Sequence, residues 1–294
     1  MHVLITGAGG FIGSVTTRAF LASNWHVTAV CRTPRPTRLP RHARLHIVAT
    51  DLRQYQDLPG HCDYLVHCAA DVPAYCADER ELYRSNVEGM QRLLDRATAA
   101  GVRRIAYLSS MAVYGTTSVA VVGENTALAE PGIYGASKLE GERLLADWVA
   151  RSGAAGVSIR LPGVVGAGGR NNFLCDSLQR IIADQAVDAS HPGALFNNVV
   201  HVDDLAQWII SLADPMPVGH TILTIAAREP LTIRNTLERL YERAGRKQQI
   251  DWKDSTRMPF VIAYDRARAL GYSAATVADS IDRFVAQTLA QTAN

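Results

Sequence analysis

Several features are scarce in this 294-residue chain, and each scarcity closes off a class of function. No apolar run approaches the roughly 18 residues of a membrane-spanning helix, so no membrane partner is expected. The five cysteines, Cys31, Cys62, Cys68, Cys76 and Cys175, are odd in number and nowhere spaced C-x-x-C. They suit neither a disulfide framework nor a zinc site, so no metal is expected. They read instead as small buried hydrophobes in a reducing, cytoplasmic compartment. Net charge is only +2, too little to argue for nucleic acid as a partner. Met1-His2-Val3-Leu4-Ile5 runs directly into a strand without a basic segment, which speaks against a secretory leader. No internal repeat or low-complexity stretch is present, and Arg32 to Arg44 is the one charge-biased region. The composition, 48% hydrophobic and 20% charged, is that of an ordinary globular chain. Its length suffices for one substantial core, or for a main domain with a smaller lobe.

What is present is alternation. Short β-branched runs at 2–6, 26–31, 45–49, 64–68, 103–109 and 157–161 predict strands. Between the fourth and fifth, Leu82, Asn86, Met90, Leu93 and Ala97 recur at spacings of three and four, predicting a helix that ends near Gly101. A second helix carries Leu139, Leu145, Trp148 and Val149 and ends near Gly153. Strands alternating with helices imply an α/β, Rossmann-like, doubly wound parallel sheet. After Pro162 the pattern loosens. Runs at 199–202 and 221–225 are expected to return to the main sheet, and helices near 173–185, 232–245 and 276–290 to form a smaller mixed lobe.

The first strand runs into Thr6-Gly7-Ala8-Gly9-Gly10-Phe11-Ile12-Gly13 and then a helix, the context a dinucleotide site requires. The glycines stand at 7, 10 and 13, whereas G-x-G-x-x-G would need one at Ile12. Gly7 permits a tight turn; the later glycines let pyrophosphate and helix approach, where free N–H groups and the helix dipole favour an anion. An ordinary strand-to-helix turn would use glycine similarly, so the motif alone is weak. Cys31 and Arg32 follow the second strand, where an acidic residue would hold the ribose 2′-hydroxyl of NAD. Arginine there can pair with a 2′-phosphate, so NADP(H) is favoured and NAD(H) stays open. Arg35 and Arg38 add to that positive field, although a solvated basic loop would look the same. Asp51, after the third strand, is placed to accept from an adenine amino group.

Tyr134-Gly135-Ala136-Ser137-Lys138 sets a phenol and an ammonium at i and i+4 on one helix face. A free phenol holds its proton too tightly for exchange at neutral pH, and a nearby ammonium is expected to draw its pKa down. Ser110 ends the fifth strand, at the sheet edge where open α/β folds bind ligands, and can orient a substrate oxygen. In isolation a Tyr-x-x-x-Lys is more often a surface pair; with Ser110 and the glycine turn it points to carbonyl–alcohol redox chemistry.

Taken together the motifs resemble the extended short-chain dehydrogenase/reductase family, including its NAD-dependent epimerase/dehydratase group acting on nucleotide sugars. The resemblance runs from Thr6–Gly13 through Asp51-Leu52, His67-Cys68-Ala69-Ala70, Asn86-Val87-Glu88-Gly89 and Ser109-Ser110-Met111-Ala112-Val113-Tyr114-Gly115 to Tyr134–Lys138. It continues in Val200-His201-Val202-Asp203-Asp204-Leu205-Ala206 and Ala267-Arg268-Ala269-Leu270-Gly271-Tyr272. It implies Tyr134 as catalytic acid/base, Lys138 as ribose ligand and tuner of Tyr134, Ser110 at the reacting oxygen, and Asn86 in support. The implied cofactor set is Gly7, Gly10, Phe11, Ile12, Gly13, Arg32, Asp51, Leu52, Ala69, Ala70, Tyr134, Lys138 and Pro162. The implied substrate set is Ser110, Met111, Asn172, Phe173, Asn197 and Arg257. A dinucleotide-binding domain is expected at 1–165, with 196–226 returning to it, and a substrate lobe at 166–195 and 227–294. The resemblance also implies a homodimer joined through the helices near 80–100 and 134–151.

Departures from the family pattern narrow the activity. Sugar 4,6-dehydratases carry an acidic pair where this chain has Met111 and Ala112, which cannot transfer protons, so dehydration is disfavoured. The 4-epimerases usually have an acidic residue after the second strand, and a diphosphate-gripping arginine at the position of Asn197; Arg257 or Arg170 would have to replace it. The leading expectation is an NADP-dependent ketoreductase of a keto sugar, nucleotide-linked, with Tyr134 giving its proton to the oxygen. A C4 epimerase, a reductase of a non-sugar ketone, and a non-catalytic cofactor-sensing protein remain alternatives. Cofactor stoichiometry separates the first two, and retention of both Tyr134 and Lys138 weighs against the last.

Overall fold

The computed structural model describes residues 1–34, 36–54 and 61–292, so Arg35 lies outside the described residues. The chain forms two compact units. The first comprises Met1–Gly115, Leu128–Arg160 and Ala206–Leu223; the second comprises Thr116–Ala127, Leu161–Leu205 and Thr224–Asn294.

The first unit is built on strands β1 (His2–Thr6), β2 (His26–Cys31), β3 (Leu45–Ala49), β4 (Tyr64–His67) and β5 (Arg104–Ser110). β1 pairs in parallel with β2 on one side and β4 on the other; β3 extends the first side and β5 the second. Ala155–Leu161 and then Gly219–Thr224 complete a seven-stranded sheet beyond β5. The chain winds outward from β1 to β3 and then returns to begin again at β4. The crevice beyond the carboxyl ends of β1 and its neighbours is therefore the switch point where such sheets take ligands. Val3, Leu4 and Ile5, like Tyr64, Leu65 and Val66, are wholly buried. These central strands are covered on both faces, which is why their sequences read as continuous apolar runs.

Helices α1 (Phe11–Ala22), α2 (Glu79–Ala99) and α3 (Ile133–Ser152) flank this sheet. α2 starts at Asp78, whose carboxylate accepts the Arg80 N–H at 2.9 Å. Glu79 and Glu81 in its first turn and Arg96 in its last complement the helix dipole. Its inner face, Met90, Leu93, Leu94 and Ala97, shares one buried cluster with Leu4, Leu65, Ile105, Leu145 and Trp148. Each such large side chain contributes about 1.5–3 kcal/mol through burial. The Trp148 indole donates to Thr98 Oγ1 at 2.8 Å, joining α3 to α2.

In the second unit the helices Phe173–Ile182, Ile233–Ala244 and Val277–Thr292 enclose Leu174, Leu178, Leu237, Leu240, Ile281 and Phe284. Asp282 takes paired N–H groups from Arg239 at 2.7 Å and from Arg243, on the neighbouring helix.

Two expectations need correction. Val199–His201 does not join the main sheet; it pairs in parallel with Gly163–Val165 as a separate ladder. Accordingly 206–223, not the whole of 196–226, belongs with the first unit. Residues 116–127 belong to the second, because Val121–Val122 pairs with Val261–Ile262 and Glu124 accepts the Thr224 N–H at 3.1 Å. A local run of valines reveals a strand but not its partner, and here the partners lie dozens of residues away.

Candidate active site

At the end of β1 the chain turns through Gly7, whose φ of +66° is in the left-handed region. A Cβ there would lie 2.7 Å from the Ala69 backbone, and one on Gly13 would lie 2.3 Å from the Gly7 carbonyl oxygen. The glycines therefore hold β1, α1 and the Ala69 segment closer together than any side chain permits. Gly10 caps α1 with no side-chain hydrogen bond, leaving the first N–H groups of the helix available to an anion. The crevice here has a volume of about 480 Å³ and is lined by Gly7, Gly10, Arg32, Asp51, Leu52, Ala69, Ala70 and Asn86. Its backbone cradle suits a dinucleotide's pyrophosphate.

Among the other expected cofactor contacts, Arg38 also lines the crevice, whereas Phe11, Ile12, Gly13, Tyr134, Lys138 and Pro162 do not. Phe11, Ile12 and Gly13 open α1, and Pro162 lies in the second unit. Arg32 is ion-paired with Asp71 at 3.0 Å. Both Asp51 carboxylate oxygens accept from Arg53, at 2.8 Å from its N–H, 3.2 Å from Nε and 2.9 Å from Nη2. That bonding holds the Asp51 carboxyl below the usual carboxylate range.

Tyr134 and Lys138 both lie on α3, and Ser110 is the last residue of β5. Burial raises the pKa of the partly buried Tyr134 phenol, while a hydrogen bond with Ser110 works in the opposite direction. This corrects the expectation of a lowered phenol pKa: in the free protein desolvation outweighs the Ser110 hydrogen bond. The Lys138 amine lies 4.4 Å above the Tyr107 ring. Burial depresses its pKa to about 7, with Cys68 and Glu142 acting against that shift. Beneath it Tyr107 stacks on His67, with centroids 5.4 Å apart, and His67 Nδ1 meets Thr6 Oγ1 at 2.6 Å. His67, buried beside Lys138, has its pKa driven down to about 3 and is neutral.

Asn86 joins the loop after β4 to α3. It accepts the Asp71 N–H at 2.7 Å and donates to the Asp71 carbonyl and to Ser137 Oγ, both at 3.0 Å. Ser137 in turn donates to the Tyr134 carbonyl at 2.8 Å, so the loop after β4 is tied to the turn of α3 that carries the phenol.

A buried ionic network that no local sequence pattern announces lies beside this site. Arg160 and Glu142, each 3% exposed, form a bidentate pair with N–O distances of 2.9 and 2.7 Å. Ser109 Oγ donates to the same carboxylate at 2.5 Å, and Arg160 Nη1 donates to the Tyr114 hydroxyl at 2.7 Å. Ser109 precedes Ser110, and Tyr114 closes the short 3-10 turn that Met111 opens. The network thus ties the end of β5 to α3. The available signal was Glu142 at i+4 from Lys138; nothing local pointed to Arg160.

In the second unit two expected substrate contacts are bonded to backbone. Asn197 is 3% exposed, donates to the Ile262 carbonyl at 2.9 Å and accepts the Ile262 N–H at 2.8 Å. Its amide holds the Val261–Ile262 strand through both its oxygen and its nitrogen, and a neutral amide does not supply the charge of the missing arginine. Asn172 caps the helix Phe173–Ile182, accepting the Cys175 N–H at 3.1 Å and donating to the Val164 carbonyl at 3.0 Å. Phe173 and Arg257, by contrast, both line a cavity of about 440 Å³ with Phe196, Asn198, Lys253 and His191. Asn198 Oδ1 and His191 Nε2 are buried without a hydrogen-bond partner among the described residues. Arg170 is exposed and does not line it. Among the described residues no cluster of His, Cys, Asp or Glu could hold a metal ion, and no helix is long and apolar enough to cross a membrane.

Residues 3–226 match the profile of the NAD dependent epimerase/dehydratase family. The chain belongs to that family. As a member of the epimerase/dehydratase family it is an enzyme of the extended short-chain dehydrogenase type. A dTDP-4-dehydro-6-deoxy-D-allose reductase from Streptomyces sp is 28% identical over 272 residues, covering 84% of this chain and 82% of the relative. A UDP-glucose 4-epimerase from Corynebacterium glutamicum is 24% identical over 266 residues, covering 83% and 81%. The structure of a UDP-glucuronic acid 4-epimerase from Bacillus cereus, in complex with UDP-glucuronic acid and NAD, matches with a TM-score of 0.84. It is 20% identical and covers 99% of this chain and 100% of that one, a likeness of fold.

Proposed function

We propose that the chain is an NADP-dependent ketoreductase acting on a keto sugar carried on a nucleotide. The supporting observation is the hydrogen bond between the Tyr134 phenol and Ser110, which sets a proton donor beside the hydroxyl at the end of β5. A reductase must begin its cycle with a proton to give, whereas an epimerase must begin by taking one. The dinucleotide, when bound, supplies the hydride. Ser110 fixes the carbonyl oxygen, Tyr134 protonates that oxygen as negative charge develops on it, and Lys138 favours the resulting phenolate. Gly7 and Gly10 receive the pyrophosphate, Ala69 and Ala70 flank it, and Arg32 meets a ribose phosphate.

The cavity beside Phe173 supports a nucleotide carrier. Phe173 and Phe196 offer ring faces to a base, Asn198 Oδ1 an unmet acceptor, and Lys253 and Arg257 positive charge to a diphosphate. The relatives include both a reductase and an epimerase, so C4 epimerisation is the second reading. Purified protein, NADPH and a panel of nucleotide-linked keto sugars decide between them. The reductase consumes one NADPH per turnover, seen as loss of the reduced-nicotinamide absorbance, and the epimerase consumes none. Equal use of NADH and NADPH removes the Arg32 argument. The same reading has two copies joined through α2 and α3; a monomer mass in sedimentation at micromolar concentration removes that part.

A further inference from the structure

Arg32 and Asp71 approach each other from opposite sides of β1. Arg32 follows β2 and Asp71 follows β4, and β1 stands between those strands. Both residues line the crevice with Gly7 and Gly10, so their 3.0 Å ion pair crosses the place where a dinucleotide would lie.

The two ends are held differently. The Asp71 backbone is pinned through both its N–H and its carbonyl by Asn86, and its carboxylate is 17% exposed. The Arg32 side chain, by contrast, is 71% exposed. Asp51, the other carboxylate whose charge bears on Arg32, is already matched by Arg53. Asp71 is therefore the anion that occupies the Arg32 guanidinium.

We propose that Asp71 is a specificity-determining residue, a built-in competitor that a phosphate on the adenosine ribose must displace from Arg32. The inference rests on the dinucleotide reading above. A 2′-phosphate and the Asp71 carboxylate present the same kind of oxygen pair to one guanidinium fork, whereas an unphosphorylated ribose does not contest it. Asp71 thus moderates the preference for the phosphorylated dinucleotide without touching it.

The test is equilibrium binding of NADP⁺ and NAD⁺ by calorimetry to the wild type, Asp71→Asn, Arg32→Ala and the double variant. Asparagine keeps the shape, and Asn86 holds only the backbone of residue 71, so the loop persists. An ion pair with one exposed partner predicts that Asp71→Asn tightens NADP⁺ about two- to five-fold. NAD⁺ should change by less than that, and the gain should vanish when Arg32→Ala is added. An unchanged ratio of the two affinities overturns the proposal. So does weaker binding of both dinucleotides to Asp71→Asn, which would make the pair a clasp over the ligand. A wild type that binds neither dinucleotide fells the underlying reading instead.

Discussion

Glu142→Gln is the perturbation that weighs the buried network most directly. In the native protein Glu142 accepts from Ser109 Oγ and from two Arg160 nitrogens, at 2.5, 2.9 and 2.7 Å, in surroundings where both charged residues are 3% exposed. Glutamine retains the shape, but its amide turns donors toward a guanidinium that is itself all donors. It also leaves the Arg160 charge uncompensated. Breaking one side of a buried pair costs about 3–5 kcal/mol, against about 0–1 kcal/mol for an exposed one. Replacing both residues together, Glu142→Leu with Arg160→Met, removes the charges that needed each other. That double variant should fall within about 1 kcal/mol of the wild type or exceed it. Urea unfolding followed by tryptophan fluorescence suits the measurement, because Trp25, Trp148 and Trp208 all lie in the first unit. A single-variant cost below about 1 kcal/mol, or a double variant as unstable as the single, would refute the reasoning.

Lys138→Met tests the buried amine through pH. The folded-state pKa of Lys138 is about 7, below its ordinary 10.5, so between those values the unfolded chain binds a proton that the folded chain has lost. Burial of the charged amine therefore penalises folding most below about pH 7, and the penalty fades as pH rises toward 10.5. The wild type should gain stability relative to Lys138→Met between pH 7 and 10 in denaturant titrations, and a flat difference contradicts the assignment. Tyr134→Phe should lower kcat by about 10²–10⁴-fold while dinucleotide affinity in a binding titration stays unchanged. Gly13→Ala places a methyl carbon 2.3 Å from the Gly7 carbonyl oxygen. It should cost about 1–3 kcal/mol in thermal unfolding and weaken dinucleotide binding with it.

Much of the first unit was legible before any coordinates. The strands at 2–6, 26–31 and 45–49 match their predicted bounds: burial makes the first two largely apolar, and the edge strand 45–49, with no residue fully buried, is read from its β-branched Ile47 and Val48. The Gly7–Gly13 turn and the Tyr134–Lys138 spacing are local patterns, and local chemistry reads them. The substrate residues fared unevenly. Asn197 and Asn172 have polar amides in suggestive positions, but Asn172 caps the helix that follows it, and Asn197 is engaged by the Ile262 backbone 65 positions away. Phe173 and Arg257, 84 positions apart, share a cavity that no spacing rule connects.

From residue order alone came the layered α/β plan, the tight glycine turn after β1 and the placement of Tyr134 and Lys138 on one helix, because each arises from near neighbours along one strand or helix. Folding in three dimensions decided the rest: that Arg160 neutralises Glu142, that Asp71 claims Arg32, and that burial pushes the Tyr134 phenol pKa up rather than down. Those outcomes depend on desolvation and on charges brought together from distant segments, quantities that exist only once the chain has closed around them.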